Sequence, residues 1–474
     1  MASDKTFMLF ISYNFLVFFL IVFVLYWCIP EQRWQNILLL ISSLVFYGWL
    51  IQWHVVFLLV SILFDYFLAL GMARWRSNAV LLMRAGVVIN IAILIAVKYY
   101  FLFNASLADW FRQLGLSGDV FLARIILPLG VSFYVLKKIS YLIEVGKGSL
   151  PQTRNFITYA TYISYFPQVF SGPLDRPQNL IRQLETSRSW KASDFYQAWP
   201  LILMGLFKKL VIANTVKVIV DQMFIMKEPS KVFLLVGAMG FTLQILADFS
   251  SYTDLSRGIS FLLGLETMKN FNRPYLALMP ADFWNRWHIS FSSWLRDYIF
   301  FPLRRMILKW NSFPQILAVS IPVLVTMLIS GLWHGIGMNF VIWGLYYGLL
   351  GVVYQYIGLR GDWHPTNKFG HFVAWLVMFF FIVTGWLIFR SPSMAWLWQA
   401  VAYGPFYRTL QELITAGILM LMIAFYALPL IAGYLIERYH PDQVNLRALY
   451  YAAATILVIL YTNSSSPDFI YFQF

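Results

Sequence analysis

The chain has 474 residues, of which 60% are hydrophobic and only 12% are charged, and its formal net charge is +14. An average soluble domain has about 25% charged residues, so this composition excludes an ordinary soluble fold and indicates an integral membrane protein. The surplus of Lys and Arg suits membrane surfaces, where cytoplasmic loops collect basic residues, and argues against nucleic-acid binding. Cys28 is the only cysteine, so an internal disulfide and a cysteine-based metal site are excluded, and we predict no metal.

The first half of the chain alternates apolar segments with short polar ones. In chain order the apolar segments are 8–30, 37–51, 55–70, 85–97 and 125–136. The first lacks a basic start and a cleavage site, which predicts a retained membrane span and not a signal peptide. The fourth is short unless Arg84 and Lys98 at its ends extend to the membrane interfaces.

Prolines and glycines interrupt this half at three places, which are Pro128-Leu129-Gly130, Phe166-Pro167-Gln168 and Ser171-Gly172-Pro173. Broken helices are tolerated at membrane depth only where they are buried in protein or line a cavity. The interruptions therefore predict a cavity inside the membrane domain.

The second half continues with apolar segments 198–207, 232–247, 369–389, 413–435 and 448–461, and with about fifty uncharged residues between Lys309 and Arg360. Two polar segments carry the basic residues Arg176, Arg182, Arg188, Lys191, Arg286, Arg296, Arg304, Arg305 and Lys309, and both are predicted to be cytoplasmic. The sequence shows no internal repeat and no linker. We therefore predict one membrane domain over residues 1–474.

His334 is the one imidazole in the long uncharged stretch, between Gly331 and Gly335. Glycines allow another backbone or a ligand to come close, and an ionisable group inside a membrane segment is a functional hypothesis by default. Taken alone, the feature fits better with a neutral histidine hydrogen-bonded between helices. The functional interpretation needs support from neighbouring segments.

That support comes from residues 282–298, where a second histidine, His288, lies among interleaved tryptophans and arginines. One interpretation is an amphipathic interfacial helix with a Trp belt and Arg anchors. The other is the wall of a funnel, in which aromatic rings hold an acyl chain or adenine and arginines face donor phosphates. For any single arginine, the general bias of basic residues toward the cytoplasm is at least as good an explanation.

Residues 270–275, 283–290 and 294–298 resemble the membrane-bound O-acyltransferase family, and most closely its bacterial alginate O-acetylation branch. Motifs at 166–173, 205–209, 244–250, 332–340, 386–390 and 469–474 also resemble this branch and cover most of the chain in order. The sequence departs from the branch at Arg304-Arg305, which replace the usual pair of glycines.

The resemblance implies an all-α integral membrane protein with about eleven transmembrane helices, plus broken or re-entrant helices, around a central tunnel. It implies that His334 is the catalytic residue deep in this tunnel and that His288 is a second catalytic residue on the cytoplasmic side. To the substrate or donor tunnel we further assign Trp287, Arg286, Arg296, Asp297, Trp333 and Asn339.

The resemblance further implies an O-acetyltransferase of the bacterial cytoplasmic (inner) membrane, with no tightly bound cofactor and with acetyl-CoA or another acyl thioester as donor. The acceptor would be a hydroxyl of an exported polysaccharide such as alginate or cellulose, reached directly or through periplasmic partner proteins. His334 would take the hydroxyl proton and His288 would orient the donor, and a covalent acyl-histidine intermediate stays open.

Two alternatives are a polytopic transporter or flippase and a non-catalytic subunit of a polysaccharide-secretion complex. Transporters usually show repeated halves and paired charges near the membrane midplane. The sequence lacks such a repeat, and Asp65 and Asp248 have no obvious basic partner along it, which favours the transferase. We assign no role to His54, His364, His371 and His440.

Overall fold

The computed structural model describes residues 10–49, 51–99, 130–309, 314–359 and 363–462. No strand is present among these residues, and seven of their helices are long and apolar enough to cross a membrane. An all-α, multi-pass membrane protein is thereby confirmed, whereas the number of about eleven spans and the tunnel stay predictions. The terminal motif at 469–474 and the first five residues of segment 125–136 lie outside the described residues.

The chain divides into two compact units, and the first comprises Met1–Ala198 and Ile259–Met268. Its helices are α1 Tyr13–Cys28, α2 Gln32–Gly48, α3 Trp53–Arg74, α4 Ala79–Lys98, α5 Val131–Gly146, α6 Phe156–Ser164 and α7 Pro177–Glu185. Helix α4 is 20 residues long and includes both Arg84 and Lys98, so the apolar segment 85–97 is part of a longer helix. The single domain over 1–474 stays a prediction.

A buried ion pair holds the centre of the first unit. The Nζ of Lys138 lies 3.1 Å from Oδ2 of Asp65, and both side chains are fully buried. The amide of Asn90 donates to the same carboxylate over 2.9 Å. Asp65 has no obvious basic partner along the sequence, and the structure supplies one from a helix that is distant in sequence.

The predicted interruptions meet in the first unit. Helix α6 ends at Ser164 and α7 begins only at Pro177. In this irregular stretch, the carbonyl oxygen of Val169 lies 2.3 Å from where a Cβ on Gly130 would be, and Gly130 has a φ of 75°. A side chain there would meet both backbone strain and the neighbouring backbone, so glycine lets the two irregular segments touch.

The second unit comprises Trp199–Gly258 and Lys269–Phe474. It contains most of α8 Ala192–Phe207 and of α10 Lys231–Leu262, together with α9 Asn214–Ile225, α11 Pro280–Arg286, α12 Ile289–Leu295, α13 Phe301–Leu308, α14 Gln315–His334, α15 Met338–Tyr356, α16 Lys368–Arg390, α17 Met394–Ala402, α18 Leu410–Tyr439 and α19 Val444–Tyr461. Two stretches, Lys208–Ala213 and Arg296–Phe300, are π-helical.

Glycines bring α14 and α15 into direct backbone contact. A Cβ on Gly331 would lie 2.2 Å from the carbonyl oxygen of Phe340, and a Cβ on Gly344 would lie 2.5 Å from that of Met327. Small residues allow such close packing between membrane helices. The antiparallel pair therefore fixes the carboxyl end of α14, where His334 lies.

A second buried ion pair joins the π-helical turn to α10. The Nζ of Lys209 lies 2.7 Å from Oδ1 of Asp248, and both side chains are buried. The sequence motifs at 205–209 and 244–250 therefore contact each other through this ion pair. Asp248 has a basic partner, so the argument against a transporter that relied on unpaired acids was wrong.

Candidate active site

Residues 280–308 do not form one amphipathic helix, because the helix breaks at His288. Helix α11 ends at Arg286 and α12 begins at Ile289, and His288 between them has a φ of 44° and a ψ of 51°. This left-handed conformation costs a side-chain-bearing residue about 1 kcal/mol or more. Asn270 holds the break, because its carbonyl and side-chain oxygens accept hydrogen bonds from the amides of Ile289 (2.9 Å) and Ser290 (3.1 Å).

The imidazole of His288 is held in an aromatic setting. It is 1% exposed, and its ring centroid lies 4.7 Å from that of Phe249 and 5.0 Å from that of Phe291. Burial lowers the pKa of His288 from 6.5 to about 3, since water is excluded from the charged form. His288 is therefore neutral at physiological pH. In this form one ring nitrogen can donate a hydrogen bond and the other can accept a proton.

His334 is the last residue of α14 and is also buried. Its ring lies 5.2 Å from Trp343 and 5.3 Å from Phe389, in edge-on geometry. It also lies 5.9 Å from Phe291, the ring that contacts His288. The two predicted catalytic histidines, 46 positions apart in the chain, thus flank one phenyl ring.

A cavity of about 1030 Å³ lies beside this cluster within the second unit. Its wall follows α14 from Ile316 to Ser330, a length of about 20 Å at 1.5 Å per residue. Ser330 precedes His334 by one helical turn. Arg296 and Arg304 also line the cavity. Its size and shape suit a long ligand that carries negative charge and extends toward His334.

Two tryptophans connect the cavity to His334. Trp284 lines the cavity, and its ring lies 5.7 Å from that of Trp343, which contacts His334. Within the part of the chain that the structure describes, the buried indole N–H groups of Trp284 and Trp343 have no hydrogen-bond partner. Buried donors nearly always have a partner in native proteins, so these two are available to a ligand.

The six residues assigned to the tunnel lie in different parts of the second unit. Arg296 lines the cavity, and Trp333 packs on Phe291 with a ring distance of 4.3 Å. Trp287 packs against Trp386 in the core at 4.6 Å. Asn339 donates its amide N–H to the carbonyl of Phe389 over 3.0 Å, which fixes the start of α15.

The other two residues, Arg286 and Asp297, form ion pairs with charged neighbours. The Nε of Arg286 lies 2.5 Å from Oδ1 of Asp282, and both side chains line a second, smaller cavity. Asp297 is 41% exposed, with its carboxylate 3.7 Å from Arg296. The roles predicted for these six residues and for the two histidines stay predictions.

Phe291, Ser330 and Trp343 were missed by the sequence-based analysis, although a signal existed for one of them. Phe340, Trp343 and Tyr347 recur at helical spacing on α15, the face that packs on α14. Trp343 could have been found from this spacing and from the position of His334. Phe291 and Ser330 carry no chemical signal of their own, because their roles come from where the helices cross.

A buried imidazole at the end of a membrane helix, one turn from a cavity of this size, is an arrangement that suits an acyltransferase working inside a membrane. Residues 131–388 match the model of the membrane-bound O-acyltransferase family, and the chain belongs to this family. The predicted family and enzyme class, an O-acetyltransferase, are thereby confirmed.

Curated relatives agree with this assignment. The chain is 34% identical to the probable alginate O-acetylase of Pseudomonas aeruginosa, over 83% of this chain and 74% of the relative. It is 31% identical to the peptidoglycan O-acetyltransferase of Helicobacter pylori, over 79% and 75%. It is 28% identical to the teichoic acid D-alanyltransferase of Bacillus subtilis, over 56% and 68%.

Proposed function

We propose that this enzyme takes an acetyl group from a thioester donor, such as acetyl-CoA, on the cytoplasmic face of the bacterial inner membrane. It passes the group to hydroxyls of an exported polysaccharide, such as alginate or cellulose, directly or through extracytoplasmic partner proteins. The observation that carries the proposal is the cavity of about 1030 Å³ whose wall ends one helical turn from His334.

The donor would lie along α14. Its phosphates would be held by Arg296 and Arg304, and its thin arm would run past Val323 and Met327 to Ser330. Arg304, at a position where the resemblance led us to expect glycine, would then bind a phosphate of the donor. The thioester would arrive beside His334, where the indole N–H groups of Trp284 and Trp343 could donate to its carbonyl oxygen.

The chemical step would begin with neutral His334 taking the proton of the acceptor hydroxyl. The hydroxyl oxygen attacks the thioester carbonyl carbon, and the indole donors stabilise the negative charge on the carbonyl oxygen. The carbon–sulfur bond then breaks, and the leaving thiolate takes the proton back from the imidazolium. The products are an acetyl ester and a free thiol, and His334 is neutral again.

A polysaccharide acceptor is favoured by the relatives, because alginate and peptidoglycan are both glycans exposed outside the cytoplasm. The positive-inside rule supports a cytoplasmic position for Arg296 and Arg304, which line the cavity and belong to the second basic segment. Donor and acceptor would then approach His334 from opposite faces, which is how an acetyl group made in the cytoplasm reaches an exported chain.

The competing transporter or flippase is separated from this proposal by labelling both parts of the donor. Inside-out membrane vesicles would receive acetyl-CoA with one isotope in the acetyl group and another in the CoA. We expect acetyl label in acid-stable, base-labile ester linkage to glycan, with all CoA label left outside the vesicles. Entry of both labels into the lumen in equal amounts would indicate transport and contradict the proposal.

A further inference from the structure

The second cavity of the second unit, of about 360 Å³, is basic and has no part in the acyl transfer described above. Its lining includes Arg273, Arg286, Arg438, His364, His371 and Tyr434. Three guanidinium groups and two imidazoles around so small a volume form a site for an anion.

Two of the arginines are held in place by neighbours. The Nη2 of Arg273 lies 2.7 Å from Oε2 of Glu437, and its guanidinium stacks 4.7 Å from the ring of Tyr434. Arg286 is held by Asp282. A guanidinium has five N–H donors, so one carboxylate contact leaves donors for a ligand. The site is thus built before any ligand arrives.

The position of the cavity indicates which anion it takes. Tyr434 and Arg438 lie in the last two turns of α18, and His371 lies in the first turn of α16. Both helices are long and apolar enough to cross a membrane, so the cavity lies at the depth where two spans end. That is the depth of phospholipid head groups.

The remaining wall suits a lipid better than a soluble anion. Leu276 and Leu278 line the cavity beside the arginines, and Leu276 is 39% exposed. Apolar side chains next to bidentate phosphate donors match the glycerol and acyl part of a phospholipid next to its phosphate. An inorganic phosphate ion would leave these leucines uncovered.

We propose that this cavity binds the phosphate of an anionic phospholipid in the adjoining leaflet. Helix α11 turns Asp282 and Arg286 toward this cavity and Trp284 and Asn285 toward the first. A lipid held by Arg286 therefore braces the short helix that carries Trp284. The two cavities share no lining residue, so the lipid site is separate from the cavity proposed for the acyl donor.

The test uses the full-length protein in lipid nanodiscs and in detergent, with bound lipid measured by native mass spectrometry. We expect phosphatidylglycerol to be retained over phosphatidylcholine. Combining Arg273→Gln with Arg438→Gln should lower that preference by about tenfold. The matched control is Arg447→Gln, because Arg447 is an exposed arginine on α19 that does not line this cavity. It should keep the wild-type preference.

Inorganic phosphate and CoA, each at millimolar concentration, distinguish a lipid head group from a soluble phosphate. The competition is measured on the wild type and on the Arg273→Gln, Arg438→Gln variant. If phosphate or CoA displaces phosphatidylglycerol from the wild type but not from the variant, the cavity binds soluble phosphate and the proposal is overturned. Equal lipid retention in that variant and in the Arg447→Gln control would overturn it as well. A thermal unfolding curve for each variant shows whether it is folded. If the double variant is not folded, the single variant Arg438→Gln is used in its place.

Discussion

Replacing His334 by alanine is expected to abolish acetyl transfer, with a fall in rate of about 10²–10⁴-fold, the usual contribution of a general base. The rings of Phe291, Trp343 and Phe389, which pack around His334, have no basic atom that could take the hydroxyl proton in its place. The rate of ester formation with purified enzyme, labelled acetyl-CoA and an acceptor glycan measures this.

The matched control is His440→Ala, which removes an exposed histidine outside the cluster and should leave the rate unchanged. Thermal unfolding of both variants distinguishes lost chemistry from lost folding, since the histidine side chain is a small part of the aromatic packing. Activity of His334→Ala within a factor of about three of wild type would remove His334 from the mechanism.

Filling the larger cavity is expected to block the donor without touching the histidines. Val323 lines the cavity midway along α14, and its Cγ1 lies 3.1 Å from where a Cβ on Gly351 would be. An indole introduced by Val323→Trp would project into the path of the donor. We expect kcat/KM for acetyl-CoA to fall at least about tenfold, since the donor must displace or bypass the ring.

Ile329→Trp provides the control for this change, because Ile329 is an exposed residue of the same helix that does not line the cavity. It adds the same side chain on a surface suited to lipid and should leave kcat/KM near wild type. If both variants are equally active, donor does not pass along α14. A donor series of decreasing length should also restore activity to Val323→Trp if the block is steric.

The sequence predicted the helices well where the apolar pattern lies within a single helix. The uncharged stretch around His334 predicted two spans. Helix α14 is long and apolar enough to cross a membrane, and α15 is the 19-residue helix that follows it, whose role as a span stays a prediction. Apolar length at 369–389 and 448–461 matched α16 and α19 within a few residues. The apolar segment 85–97 is shorter than α4, which also includes Arg84 and Lys98, the two basic residues that were expected to lengthen this span.

Contacts between distant residues could not be predicted in the same way. Asp65 pairs with Lys138 and Asp248 with Lys209, and nothing local in the sequence specifies either pairing. The break at His288 was hidden as well, because the residues around it have the composition of an amphipathic helix. The hydrogen bonds from Asn270, a residue 18 positions earlier, accompany that break.

The same difference between local sequence patterns and tertiary contacts applies to the candidate active site. Histidine identity and family motifs named His288 and His334, but the cavity depends on how α11 to α15 pack. Asn339 was assigned to the tunnel from the sequence, and the structure shows that its amide donates to the backbone carbonyl of Phe389. A side-chain type indicates what chemistry is possible, whereas the partner that uses it is fixed only by tertiary structure.

The central claim is that the acyl donor reaches His334 along α14. An acetyl-CoA analogue with a photoreactive diazirine in its acyl group, crosslinked to the full-length enzyme and mapped by mass spectrometry, tests this most directly. We predict crosslinks to peptides of α14 and α15 around Ser330, His334 and Trp343, competed by acetyl-CoA and reduced in Val323→Trp. Competable crosslinks confined to α1–α7 would contradict the account.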